Sequence, residues 1–398
     1  MPIIALPINT QTSNVRSGEH GDILRIQDID PTFASLWDPQ KNALLYRLMA
    51  SMRKGAPVHD PTHTWFEDDK PPIYIELKSE MGASAGTKTN VEYDANVLVQ
   101  NTMVVHEDTG EWFLIANDPE AESSHWKASF TRGYQNTTAG AALPIGTKLR
   151  VGPTALPEGA DANKGITHQP TSAYNYATYF SESLGITDVQ LNSRTINNVH
   201  MLEDQERITL LRMMEQMDTQ LRLGKRNKTG TAPANIYTSN GFEQVASNSI
   251  ALQGNELDWP YLNEQFNVMW DSYTGSSPEK VGLLGPALFD AINKAAYDKW
   301  NVKPAFESVL GAIVSQINLT SGGQMTLIRD NWGFQGNTKR GYLIDMNYVS
   351  LHEHGGMELQ LRDISDPKSH TIRREAFGSI LPVYKLPKMH GLITWTTD

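Results

Sequence analysis

The chain contains no cysteine. That absence excludes disulfide frameworks, cysteine nucleophiles, thiolate zinc sites and cysteine-ligated iron–sulfur clusters together. Positive charge is also scarce: 34 Lys and Arg against 45 Asp and Glu leave a formal net charge of −11. No global field therefore exists to hold nucleic-acid phosphates by counterion release. No apolar run approaches the roughly 18 residues of a membrane span, so no membrane partner is expected. The start, MPIIALPINTQTSN, lacks a basic leader and carries Pro2 and Pro7, which does not read as a signal peptide. Gly-rich dinucleotide fingerprints, a phosphate loop ending in Gly-Lys-Ser/Thr and HExxH are missing too. No catalytic residue, cofactor or resident metal is expected. What is present, 39% hydrophobic and 20% charged residues over 398 positions, suits a folded chain of two or three compact parts.

The sequence is organised around Ser181 to Asn227, which reads as one long amphipathic helix. Ile196, Val199, Leu202, Leu210, Met213, Met217 and Leu221 recur at three- and four-residue spacing, while Glu203, Arg207, Arg212, Glu215, Asp218 and Arg222 fall on other faces, with Arg222 taken as solvated. Thr195 or Ser193 is placed to cap its start, and Gly224 to end it in a left-handed conformation. From Thr195 to Leu223 it would run about 40 Å, well beyond an ordinary globular helix.

Ahead of it, residues 1–38 show no sustained period and read as an extended arm. Asp38 to Lys54 predicts a short helix with Leu44, Leu45, Leu48 and Met52 on one face and Gly55 as its stop. Proline-rich residues 56–72 read as linker, and short β-branched and aromatic runs from about Asn90 to Gly152 predict a small barrel or sandwich. After Gly224 come a helix from Asp258 to Tyr273, a buried strand VGLLG and a helix opened by Pro286. A hairpin turning at Gly322 and Gly323 follows, then strands in GYLIDM, MELQLRD, HTIRRE and HGLITWTT. Helices and strands are segregated, so the class is α+β.

Chemistry-bearing clusters are few. His59, His63, Glu67 and Asp68 have metal-ligand residue types, but Pro61 opposes the helix that would align them, and a surface loop is the expectation. His352 and His354 flank Glu353 on a strand and read as a solvated edge. Adjacent carboxylates such as Asp68 with Asp69, or Glu203 with Asp204, read as acidic surface. Met201, Met213, Met214 and Met217 fit core packing first and a partner face second. Lys225, Arg226 and Lys228 follow a helix C-terminus, where cations are favourable without any ligand.

The order GEWFLIAND, SFTRGYQNTTAGAALPIGTKLRVG, ALPEG, NYATYF and GITD, from Glu111 to Ile186, resembles tailed-bacteriophage major capsid proteins with the Hong Kong 97 capsid fold. Thr131-Arg132-Gly133, Asn136 to Ala139, Gly146 to Leu149, Glu158-Gly159 and Asn175 to Phe180 carry the likeness, with YLIDMNYV and HTIRREAFGSIL further on. The resemblance implies an arm and short helix (1–55), an extended loop with an inserted β module (56–180, module about 90–152), a spine helix (181–230), an axial domain (231–345) and a return to the peripheral domain (346–398). It implies self-assembly as hexamers and pentamers of an icosahedral virion capsid, built in the host bacterial cytoplasm around DNA that is bound without sequence preference. A separate scaffolding protein, a portal and a decoration protein are the implied partners. Subunit-contact candidates are Ile3, Ile4 and Leu6 in the arm, Trp112, Phe113 and Arg132 in the loop, and Met213 and Met217 on the spine. The alternatives are a β-rich carbohydrate-active enzyme, prompted by nine tryptophans and abundant acids, or a capsid-decorating or tail protein.

Overall fold

The computed structural model describes residues 42–68, 72–122, 124–156, 158–159, 170–192, 201–231, 234–254, 256–271, 278–297, 302–304, 314–319 and 322–397. The chain divides into two compact units, one from Phe66–Ser172 and one from the segments on either side. Both are strand-rich, and among the described residues the helices fall in the second.

The Phe66–Ser172 unit is a seven-stranded sheet. Its strands are β1 (Tyr74–Glu76), β2 (Gly86–Tyr93), β3 (Thr102–His106), β4 (Glu111–Ile115), β5 (Glu120–Glu122), β6 (His125–Tyr134) and β7 (Lys148–Thr154). They lie in the order β1-β7-β3-β4-β6-β2, with β5 on β6, and a Leu77–Tyr93 bridge links the two ends of that order. Period-two alternation explains it: β4 buries Glu111, Phe113 and Ile115 and leaves Trp112 and Leu114 half-exposed. Val91, Tyr93, Val104, Phe130 and Leu149 complete the core. Strands β3, β4, β6 and β7 match the expected runs. β1 lies just beyond the expected linker and β2 straddles the expected start of the module at Asn90; each is a largely polar segment with little pattern of its own.

The other unit holds α1 (Leu44–Met52), α2 (Met201–Leu223), α3 (Trp259–Asp271) and α4 (Pro286–Tyr297). Its two larger sheets are built from β8 (Thr178–Thr187), β9 (Asn248–Gln253), β10 (Glu279–Leu284), β11 (Val302–Pro304), β12 (Val314–Asn318), β13 (Gln324–Arg329), β14 (Arg340–Ile344), β15 (Val349–His352), β16 (Gln360–Asp363), β17 (Thr371–Tyr384) and β18 (Gly391–Thr396). A mixed sheet runs β9-β18-β14-β10-β13-β12-β11, with parallel pairs β9/β18 and β10/β13. Its central strands read as continuous apolar runs because both faces are covered. Leu283, Ile328 and Ile344 face a core shared with α1 and α2, while Leu284, Leu327 and Leu343 face α3 and α4. Of the residues expected inward on α3 and α4, Leu262, Phe266, Met269, Leu288, Phe289 and Ile292 are buried there, Trp270 is half-buried, and Tyr273 lies outside the described residues.

Two expectations at the long helix change. Ser181–Thr187 is strand: β8 pairs antiparallel with β17 from Thr178↔Ile380 to Thr187↔Thr371. Phe180, Leu184 and Ile186 alternate with Ser181, Ser183, Gly185 and Thr187, a period of two that favours sheet over helix. The proposed caps Ser193 and Thr195 lie outside the described residues, and the helix is seen over 23 residues, about 35 Å. Gly224 does end it, but not through a left-handed φ. A Cβ there would stand 2.5 Å from the Gln220 carbonyl oxygen and 2.7 Å from that of Ser239, so close backbone approach demands the glycine. Met52 likewise departs from expectation: it is exposed, whereas Leu44, Leu45, Leu48 and Met49 seat α1 on the core. At Gly322 a positive φ of 87° makes the β12–β13 turn as the hairpin reading requires.

Candidate functional site

The histidine groups read as a surface loop and a solvated edge are neither: they are strand-borne and half-buried, or packed against neighbouring backbone, and they gather no ligand set. Thr62–Glu67 is a strand, and the His63 ring lies 5.1 Å from the ring of His352, from a segment far along the chain. Both His352 nitrogens are engaged, Nδ1 with the Ala56 carbonyl at 2.8 Å and Nε2 with Ser350 Oγ at 2.9 Å. Burial, then the neighbouring His352 and Lys385, hold His63 below the usual histidine range. His354 packs instead against the Tyr179 ring, and His59 against Gly355, where a Cβ would stand 2.6 Å from the imidazole. Neither set gathers ligands around one point.

Among the described residues, Glu92, Glu122 and His125 do converge, from β2, β5 and β6. No sequence spacing could have shown this, because the sheet register brings them together. Lys127 already occupies the gap, paired with Glu122 and standing 3.4 Å from Glu92 Oε1. The run Gly82-Ala83-Ser84-Ala85-Gly86 has the spacing of a hydrolase nucleophile elbow. It lies on a bend entering a strand, not between strand and helix, and Ser84 Oγ accepts from Lys88 Nζ rather than meeting a histidine.

Buried charge is instead locked inside closed networks. Arg132 donates through Nε and Nη2 to both oxygens of Glu111, at 2.8 and 2.7 Å, and also to the carbonyls of Gly82 and Ala141. Hydrogen bonds from Arg132 and Gly140 hold Glu111 below the usual carboxylate range despite burial, which acts the other way. Lys280 Nζ, fully buried, meets Asp345 Oδ2 at 3.1 Å and the Met389 carbonyl at 3.3 Å, beside His390. Arg222, expected on a solvated face, is buried between Asp218 and Asp330, because α2 is covered on that side by the Asp330–Phe334 segment.

The expected contact residues divide. Phe113, Arg132, Met213 and Met217 are buried within this chain, and Trp112 is half-exposed. Ile3, Ile4 and Leu6 lie outside the described residues. Among the described residues, the buried acids and bases are thus paired, and the one gathered ligand set is filled by lysine.

The model of the SU10 major capsid protein family matches residues 13–397. The chain belongs to that family. It is a structural virion capsid protein and not an enzyme. The family match also removes the decorating and tail alternatives. Among solved structures, the SU10-family chain is similar to a Gordonia phage Cozz chain (11% identity, TM-score 0.48, 99% of each chain covered). It is also similar to the capsid of Myoviridae phage XM1 (8% identity, TM-score 0.47, 97% and 100% covered). A Mycobacterium phage Bobi chain is a third likeness (11% identity, TM-score 0.45, 97% and 100% covered). No curated protein sequence matches the chain. No helix of the described residues is long and apolar enough to cross a membrane.

Proposed function

We propose that this SU10-family capsid protein is a subunit of Hong Kong 97 type that assembles into hexamers and pentamers of an icosahedral shell around double-stranded DNA. The family match over residues 13–397 carries the reading. In it, α2 is the spine and the Phe66–Ser172 unit is the extended loop with its inserted β module. Residues 231–345 supply the axial domain, and 346–398 return to the peripheral one. The 23-residue length of α2 and the separate core of Phe66–Ser172 support that assignment.

Assembly in this reading takes place in the bacterial cytoplasm with a separate scaffolding protein, a portal and a decoration protein. Ile3, Ile4, Leu6 and Trp112 are the direct contact candidates. Phe113, Arg132, Met213 and Met217 act from within, by holding the contact surfaces in shape. Coexpression with neighbouring phage genes, followed by sedimentation and negative-stain microscopy, tests the function: closed shells are expected. A stable monomer that forms no large particles would overturn it. Deleting residues 1–30 should leave the subunit folded and abolish closed shells.

A further inference from the structure

The chain carries 45 acidic residues, yet none stands between Asp218 and Glu243, and none between Asp161 and Glu182. The fold brings parts of these two acid-free stretches side by side. A small hairpin pairs Asn227–Thr229 with Ile236–Thr238, setting Lys228 opposite Tyr237. Tyr237 packs on Tyr176 with ring centroids 5.5 Å apart, and Tyr176 on Tyr174 at 5.6 Å. Cations close both ends of this row. The Arg226 guanidinium lies 4.0 Å from the Tyr174 ring centroid and donates to the Tyr174 carbonyl at 2.6 Å, and the Lys228 ammonium stands 5.5 Å from the Tyr237 ring.

Lys225, Arg226 and Lys228 are exposed, and among the described residues none of the three makes an ion pair. Neutralising the C-terminus of α2 accounts for cations here, but not for a tyrosine row that seats two of them, nor for the loss of every acid from both stretches. Fixed, unpaired cations beside aromatic rings suit a polymer that combines phosphates with flat bases. We propose that Lys225, Arg226 and Lys228, the last two seated on Tyr174 and Tyr237 at the ends of a row completed by Tyr176, form a contact site for the nucleic-acid backbone, resting on the shell function above for the source of that polymer. The contact is local, so it operates although the whole molecule is acidic.

Fluorescence anisotropy of the full chain with labelled duplex and single-stranded DNA tests it. Wild type is expected to bind at low salt, and K225Q/R226Q/K228Q to bind about tenfold more weakly or worse, with the salt slope reduced by about 2 to 3. Y174L/Y237L keeps the charges and should weaken single-strand binding more than duplex binding. Circular dichroism melts matching wild type keep the comparison meaningful. Absence of wild-type binding, or an unchanged salt slope in the charge variant, would overturn the site. So would a polyglutamate peptide that competes as well as DNA, which would reassign the row to an acidic protein segment. Binding is read on free chain, so failure to form shells counts against the shell function and leaves this measurement standing.

Discussion

Arg222 and Asp330 stand 108 residues apart in sequence and 2.5 Å apart in the fold, Nη2 donating to Oδ2. The same guanidinium donates through Nε to Asp218 Oδ2 at 2.5 Å and lies over the rings of Phe334 and Tyr342. Gly333 allows this approach: a Cβ there would stand 2.2 Å from Arg222 Nη1. Arg222→Met strands two buried carboxylates and should cost about 3–5 kcal/mol in urea unfolding. Adding D218L and D330L should recover part of that loss, since the uncompensated charges leave with their partner. A melt of the single variant indistinguishable from wild type would show that the pair contributes nothing.

Met213 has no exposed surface and packs in the core shared by α1, α2 and the mixed sheet. Met213→Asp should cost about 3 kcal/mol or more, by forcing a charge into a dry core. Arg212, one position earlier, is 65% exposed and only 3.6 Å from Glu182. Arg212→Ala should change stability by no more than about 0.5 kcal/mol. Equal shifts in thermal melts would mean that the two faces of α2 have been confused.

In the Phe66–Ser172 unit, Glu111→Gln keeps the shape of the Arg132 clamp and removes its charge. A buried guanidinium without its counter-ion should cost about 2–4 kcal/mol. Amide hydrogen exchange should accelerate across β4 and β6, where Glu111 and Arg132 sit. Unchanged protection there would place the holding force elsewhere.

His390 is fully buried, with Nε2 on the Lys385 carbonyl at 3.1 Å and Nδ1 accepting from the Asp345 amide at 3.3 Å. Burial holds it down to about 4, from an ordinary 6.5, against the upward pull of Asp345. The folded chain therefore refuses a proton that the unfolded chain accepts below about 6.5. Stability from this group is complete above that pH and is lost as pH falls from about 6.5 to 4, by roughly 3 kcal/mol over the window. Urea titrations should show that acid slope in wild type and a flatter one in His390→Gln. Parallel slopes would exclude His390 as its source.

Local periodicity made much of the fold legible. Leu262, Phe266 and Met269, and Leu288 and Ile292, were readable as inward stripes because helix geometry places such spacings on one face whatever covers it. The Gly322 turn and strands β3, β4 and β6 were readable for similar reasons. Ser181–Thr187 also carried its own period of two, but that signal was overrun by the longer helical pattern beside it. The edge strands β1 and β2 had weak patterns, since an edge shares its apolar load with only one neighbour.

By itself, the sequence determined which faces are apolar, where the turns fall, and that cysteine chemistry and the common catalytic motifs other than a serine elbow are absent, since each is a property of neighbours along the chain. Only the tertiary structure decided that Arg222 is buried, that His63 meets His352 rather than His59, that Lys127 fills the Glu92–Glu122–His125 cluster, and that Arg226 and Lys228 rest on a tyrosine row. Each of these depends on a partner from a distant segment. A charge's solvation is set by whatever the fold lays over it, and spacing along one helix or strand carries no record of that cover.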